Sequence, residues 1–233
     1  PMIHWPEVIF TYESSEKILF SADAFGKFGV YDASPDDWAC EARRYYFNIV
    51  GKYGTPVQNV LKKLSSFSIE KICPLHGPVL TENLDYYIGK YITWSSYAPE
   101  DSGVLIAFAS IYGNTKKAAL FLEEKLKQAG VEKIVLSDLA RSDMAEVIED
   151  AFRYDRMILM APTYDAGLFP VMESFLHHLK AKNYCNRKIG LVENGSWAPV
   201  AAKKMQEIIT EMKNISLAEK KVTILSTLNE TTE

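Results

Sequence analysis

The sequence predicts an α/β chain whose second half is a doubly wound, five-stranded parallel sheet. Three observations predict it. The apolar run Val104–Ala109 has the texture of a strand buried on both faces, and Arg156–Ala161 and Ile189–Glu193 read as further strands. Stretches with helical spacing separate them. Loops rich in Ser, Thr, Asn and Gly follow the strands directly. Strand–helix alternation of this kind builds a parallel sheet with helices on both sides.

The elements of this half follow in order. Val104–Ala109 is the first strand. Thr115–Ala129 is a helix stopped by Gly130. Lys133–Leu136 is the second strand. Ser142–Phe152 is a helix with Ser142 as its N-cap. Arg156–Ala161 is the third strand and Pro170–Lys182 a helix. Ile189–Glu193 is the fourth strand, Val200–Lys213 a helix, and Val222–Ser226 the fifth strand. Right-handed crossovers favour the strand order 2-1-3-4-5. Thr227–Glu233 follows, where a sheet of this order normally carries a closing helix, so one face of an outer strand pair is expected to lie uncovered.

The first half is mixed. Ile3–Phe10 and Lys17–Ser21 read as strands around a polar turn, Tyr12–Glu16. Asp36–Tyr53 has helical spacing through Trp38, Ala42, Tyr45, Tyr46 and Ile49. Thr55–Ser65 is a second helix, Ile69–Cys73 a short strand, Pro74–Pro78 a sharp turn and Leu84–Tyr97 a connecting helix. Residues 1–97 thus form one region, 98–102 a linker and 103–233 the sheet domain. The chain opens at Pro1 and enters apolar sequence at once, which reads as a cut inside something longer.

Composition narrows the partners. The apolar fraction of 48% is that of a globular protein, and the formal charge of −4 includes no basic block. Nucleic acid is therefore not expected as a partner. No apolar run is long enough for a bilayer, so no membrane association is expected. Cys40, Cys73 and Cys185 are few and widely spaced, as free thiols in a reducing, cytoplasmic compartment would be.

The chemistry concentrates in three loops at the carboxyl ends of strands, where ligands of open α/β sheets bind. Ser110-Ile111-Tyr112-Gly113-Asn114-Thr115 runs from the first strand into a helix and forms an anion cradle. Its hydroxyls and backbone N–H groups meet the positive end of the helix dipole. The loop is neither GxxxxGK[ST] nor GxGxxG, so a monophosphate suits it better than a triphosphate or a dinucleotide. The same Ser, Asn and Thr would also serve as simple helix caps. Two further loops are Pro162-Thr163-Tyr164-Asp165-Ala166-Gly167 and Asn194-Gly195-Ser196-Trp197. Tyr164 and Trp197 offer flat faces on which a planar ring can stack.

These loops resemble the phosphate loop and the two ring-binding loops of flavodoxins. The resemblance implies FMN, its phosphate on Ser110, Tyr112, Gly113, Asn114 and Thr115. It places the isoalloxazine between Thr163–Gly167 and Asn194–Trp197, with Pro162 also among the cofactor-binding residues.

In the first region His4, Asp23 and His76 each lie beside a strand. Two imidazoles with a carboxylate suit zinc or non-haem iron, and equally they are ordinary turn and core residues. His177 and His178 read as partly exposed helix surface. The words His4-Trp5-Pro6, Ser21-Ala22-Asp23-Ala24-Phe25-Gly26 and Pro74-Leu75-His76-Gly77-Pro78, followed by the FMN loops, resemble flavodiiron proteins. Those proteins join an αββα metallo-β-lactamase-like domain to a flavodoxin domain and reduce oxygen or nitric oxide at two irons fed by FMN. The resemblance covers essentially the whole chain. It implies that His4 and His76 are terminal ligands, one per iron, and that Asp23 bridges. It also implies rubredoxin as electron donor and a head-to-tail homodimer. The family's motif His-x-Glu-x-Asp-His is absent from the sequence, so a complete diiron site is expected only where further ligands are supplied. Residues 1–85 are expected to need a covering partner layer. Two other activities are compatible with the residues: a metal-free FMN electron carrier, and a flavin-dependent quinone or NAD(P)H reductase.

Overall fold

The architecture comes from a computed structural model that describes residues 3–29 and 38–229. Its contacts divide the chain into two compact units, one up to Ala98 and one from Pro99.

The second unit is the predicted sheet. Its strands are β4 (Asp101–Phe108), β5 (Ile134–Asp138), β6 (Tyr154–Tyr164), β8 (Arg187–Asn194) and β10 (Val222–Ile224), in the spatial order β10-β8-β6-β4-β5. In order of appearance this is 2-1-3-4-5, and every neighbouring pair is parallel. Two short strands add to it. β7 (Gly167–Leu168) folds back antiparallel on β6, and β9 (Ile215–Leu217) pairs parallel with the start of β8. β9 carries no strand signal in the sequence. Three residues cut off from Val222–Ile224 by Ala218–Lys221 are too short a run for one.

Alternation sorts the strands' side chains. Val104, Ile106, Phe108, Met160, Val192 and Ile224 face α4 (Asn114–Gln128), which contributes Ala118 and Ala119 to that buried layer. The opposite face is covered by α5 (Met144–Arg153) and α7 (Ala201–Ile209), with α6 (Pro170–Ala181) between them. The layer against α4 is finished by Leu228, which packs on it from an irregular segment, while Val222 stays 41% exposed. Leu228 thus packs where a closing helix is expected from the sequence, and residues 230–233 lie outside the described residues.

Several boundaries differ from the sequence reading. α5 is capped by Asp143, whose carboxylate accepts from the Ala145 N–H at 2.7 Å, not by Ser142, which sits one residue too early. β4 begins at Asp101, inside the expected linker, because Asp101 is tied to Arg153 and Lys133.

The first unit holds a three-stranded sheet of β1 (Thr11–Glu13), β2 (Ile18–Phe20) and β3 (Lys71–Cys73), in the order β1-β2-β3. Ile3–Phe10 is not a strand. Pro6 lacks a donor and His4 adopts a left-handed φ of 48°, so this stretch cannot run extended. Val8 and Phe10 instead line an apolar cavity. The predicted turn at Tyr12–Glu16 starts later, since Tyr12 and Glu13 pair with β2. The long first helix is α1 (Trp38–Tyr45), followed by a π-helical turn at Tyr46–Val50 and a 3₁₀ turn at Gly51–Tyr53. Asp36 and Asp37, the expected start of that helix, lie outside the described residues. α2 (Gly54–Leu64) and α3 (Leu84–Ser95) pack together, and Trp38 stacks on Trp94 at 5.7 Å between ring centroids.

Candidate functional site

The carboxyl ends of β4, β6 and β8 form one cleft, lined by Ser110, Ile111, Tyr112, Asn114, Thr115, Pro162, Thr163, Asn194, Gly195, Ser196 and Ser226. The three loops read from the sequence therefore meet. Ser226 is an addition, brought in because β10 ends beside β8.

The phosphate-type loop is built by its geometry. Gly113 stands at the N-cap of α4 with φ +89°, a conformation that costs a side-chain-bearing residue. No side chain caps this helix, and its first two residues, Asn114 and Thr115, line the cleft. The Ser110 hydroxyl accepts from the Gly113 N–H at 3.1 Å and fixes the turn. Thr115 is buried, while Tyr112 is 91% exposed.

The two other loops are braced by side chains within the protein. Thr163 Oγ1 accepts from the N–H groups of Val200 at 2.8 Å and Ala201 at 3.2 Å, linking the end of β6, which runs on through Pro162–Tyr164 where a loop is expected from the sequence, to the start of α7. Asn194 Nδ2 donates to the Ser226 carbonyl and reaches Thr115 Oγ1, and its Oδ1 accepts from the Ser226 N–H. These two side chains hold the cleft's walls together. Asp165 and Ala166 form the tight turn between β6 and β7 with φ of 48° and 53°. Positive φ at both central residues is the type I′ pattern. Tyr164 is half exposed and its ring meets Phe169 edge-on at 5.5 Å, whereas Trp197 is 84% exposed.

In the first unit His4, Asp23 and His76 converge. His4 Nε2 lies 3.0 Å from Asp23 Oδ2, and His76 Nε2 lies 3.8 Å from Asp23 Oδ1. The two imidazoles thus address different oxygens of one carboxylate. His76 Nδ1 donates to the Lys27 carbonyl at 3.0 Å, which turns Nε2 toward Asp23. Gly26 is required here, since a Cβ would come within 2.5 Å of the His76 ring. Tyr45, unmarked by the sequence reading, places its hydroxyl 3.4 Å from His4 Nε2 and its ring edge-on to His76. Burial, then the charge of Asp23, push the Tyr45 phenol well above its ordinary range, so it stays protonated. Among the described residues, no group of three or more His, Cys, Asp or Glu side chains is arranged around one point as a metal ion requires. His177 and His178 are exposed on α6, as expected.

The flavodoxin domain profile matches residues 105–223, just over half of the chain. The chain belongs to the flavodoxin domain family. It is 28% identical over 221 residues to an uncharacterized protein of Methanocaldococcus jannaschii, covering 91% of this chain and 55% of that one. It is 28% identical over 228 residues to a nitric oxide reductase of Moorella thermoacetica, covering 94% of this chain and 56% of the relative. Among solved structures, the rubredoxin oxygen:oxidoreductase of Desulfovibrio gigas superposes with a TM-score of 0.89 at 22% identity, over 99% of this chain and 59% of that one. The fold of both units is therefore that of the D. gigas enzyme, and the flavodiiron resemblance read from the motifs holds. The chain spans about half the length of the curated relatives it matches. Its flavodoxin domain carries the three-loop cleft. No helix among the described residues is long and apolar enough to cross a membrane.

Proposed function

We propose that this chain is the FMN-bearing, electron-transfer part of a flavodiiron-type reductase of oxygen or nitric oxide. The observation that carries the flavin reading is the cleft of the flavodoxin domain. An uncapped helix N-terminus, a glycine at positive φ and two braced loops converge there.

The residues present fit FMN. The first-turn N–H groups of α4 and the hydroxyl of Thr115 would hold its phosphate, with Ser110 shaping the turn and Tyr112, Gly113 and Asn114 completing the loop. Pro162 to Gly167 and Asn194 to Trp197 would flank its ring, with Tyr164 and Trp197 as stacking faces. When bound, FMN supplies one- and two-electron chemistry. The chain's own part is to hold the ring between two loops that are fixed before binding, so that little ordering cost falls on association.

The closeness of His4, Asp23 and His76 supports the metal half of the reading, although the three do not surround one point. A carboxylate with one imidazole at each oxygen has the donor set of a bridging ligand flanked by two terminal ones. Three side chains do not complete a two-metal site, so the remaining ligands would come from residues beyond these. Tyr45 would orient His4 and keep a proton-bearing hydroxyl at the edge of that site. Rubredoxin as donor and a homodimer remain part of this proposal, by likeness to the flavodiiron proteins.

The test is a titration of the protein into FMN, followed by flavin fluorescence. Quenching to a one-to-one endpoint is expected; no quenching sinks the flavin reading. Iron analysis with measurement of oxygen and nitric oxide consumption tests the second half. Bound flavin without iron or gas reduction would leave a flavin electron carrier. Fast bleaching of the flavin by NADH alone would favour a nicotinamide-dependent reductase.

A further inference from the structure

Glu193 is the last β8 residue before Asn194, and it is 1% exposed. A carboxylate so deeply placed needs partners, and Glu193 has three. Its Oε2 accepts from the Ala202 N–H at 2.9 Å. Its Oε1 accepts from Lys221 Nζ at 2.7 Å and from Thr223 Oγ1 at 2.9 Å. One side chain therefore joins β8, the start of α7 and the β10 edge.

The helix end explains why this matters. Val200, the N-cap of α7, gives it no side-chain cap. The three leading N–H groups are met from neighbouring strands instead: Val200 and Ala201 by Thr163, Ala202 by Glu193. The loop from Gly195 to Pro199 is pinned in front by Asn194 and behind by Thr163 and Glu193. Between these anchors the backbone holds Ala198 at φ 44°. That is a position a side-chain-bearing residue keeps only when its surroundings enforce it.

We infer that Glu193, together with Lys221, is a positioning residue for the ring-binding loop, acting on both the affinity and the potential of the flavin. The inference rests on the flavin reading of the cleft. Glu193 touches no ring itself; it acts through the loop and through its charge. The Lys221 side chain is about half exposed, at 54% accessible, while its partner Glu193 is buried. Removing either charge alone leaves the other uncompensated beside the loop. The field of the buried carboxylate is weakly screened, and that of the ammonium on the half-exposed Lys221 side chain is screened more. An unbalanced cation favours the more negative, reduced flavin; an unbalanced anion opposes it.

The experiment compares wild type, Glu193→Gln, Lys221→Gln and the double variant by FMN titration and by the midpoint potential of the bound flavin. E193Q keeps the shape but weakens the brace. It is expected to lose about tenfold in FMN affinity, the equivalent of one lost hydrogen bond to a charged group, and to shift the potential upward. K221Q shifts it downward, and the double variant returns it toward wild type. If wild type binds no FMN, the flavin reading fails and the inference with it. If wild type binds FMN and E193Q matches it in affinity and potential, the inference alone is overturned. Weaker affinity with potentials unchanged in both single variants also overturns it, leaving a brace for the loop that has no effect on the flavin potential. Should E193Q not fold, K221Q, which alters an exposed side chain, decides by the direction of its potential.

Discussion

Asn194 and Ser226 exchange two hydrogen bonds. The Asn194 Oδ1 accepts from the Ser226 N–H at 3.1 Å, and its Nδ2 donates to the Ser226 carbonyl at 3.1 Å. A side-chain amide here imitates a strand's backbone and continues the β8–β10 pairing past its end. Asn194→Ala should cost about 1–3 kcal/mol, because a buried donor and acceptor lose their partner. Asn194→Asp keeps the acceptor but places an anion beside Thr115, so it should weaken FMN binding more than it weakens the fold. Urea unfolding and flavin titration of both variants separate the two effects. Equal losses in both assays would contradict this.

Trp197→Ala should do the reverse. At 84% exposed, the indole has little packing to lose, and stability should stay within about 0.5 kcal/mol. FMN affinity should fall, since the stacking face is gone. An unchanged dissociation constant would remove Trp197 from the site.

Gly113→Val should abolish yellow colour in the purified protein. The sequence alone suggests that a side chain would fill the phosphate cradle. The structure gives another cause: a Cβ at Gly113 would meet nothing within 4 Å, but φ is +89°. A β-branched residue there would strain the turn by about 1–3 kcal/mol or rotate the loop, and the N–H groups would no longer converge. Gly113→Ala should retain part of the binding. A valine variant binding FMN like wild type would overturn this.

Ala166→Gly should stabilise the protein. Ala166 sits at φ 53°, beside Asp165 at φ 48°. Relief of a left-handed alanine is worth about 1–2 kcal/mol, and glycine returns about 0.5–1 kcal/mol of that as extra chain entropy. The thermal midpoint should rise, and a fall would show that the turn adopts another form.

Acid should loosen the flavodoxin domain before it affects its strands' packing. Burial raises the carboxyls of Glu193 and Asp101, but their hydrogen bonds and cationic partners outweigh it and hold both below the usual range. For Glu193 the partners are Lys221, Ala202 and Thr223; for Asp101 they are Lys133 and Arg153. A group lowered on folding stabilises above its unfolded value and loses that contribution as pH falls through its folded value. Stability should therefore be flat near neutrality and decline below about pH 4.5, the ordinary glutamate range. E193Q should flatten part of that decline in a pH series of unfolding midpoints. An identical profile in the variant would count against the contribution of Glu193.

What was legible in the sequence followed from periodicity. The run Val104–Ala109 could only be a doubly buried strand, and strand–helix alternation then left one strand order. The three loops were found because their position after strands is itself a signal. What was not legible depends on contacts across the sheet. Thr163 and Asn194 read as flavin-facing residues, yet their side chains are hydrogen-bonded to the protein's own loops. Nothing local in Glu193-Asn194-Gly195 reveals that Glu193 reaches forward to Ala202 and Lys221. Tyr45 belongs to a helical stripe and reads as core; only folding brings it to His4. Ile3–Phe10 failed for the opposite reason, because β-prone residues were placed in a cavity wall.

The break at Ala218–Lys221 divides what would otherwise be one long outer strand into β9 and β10. An unbroken strand of that length would present a straight row of unpaired amides and carbonyls, the template on which sheets of separate molecules join. Glu219, Lys220 and Lys221 stand exposed in the gap. The same excursion that delivers an ammonium to Glu193 thus also interrupts and charges the sheet's rim, so protection against aggregation and the bracing of the loop share one short stretch of chain.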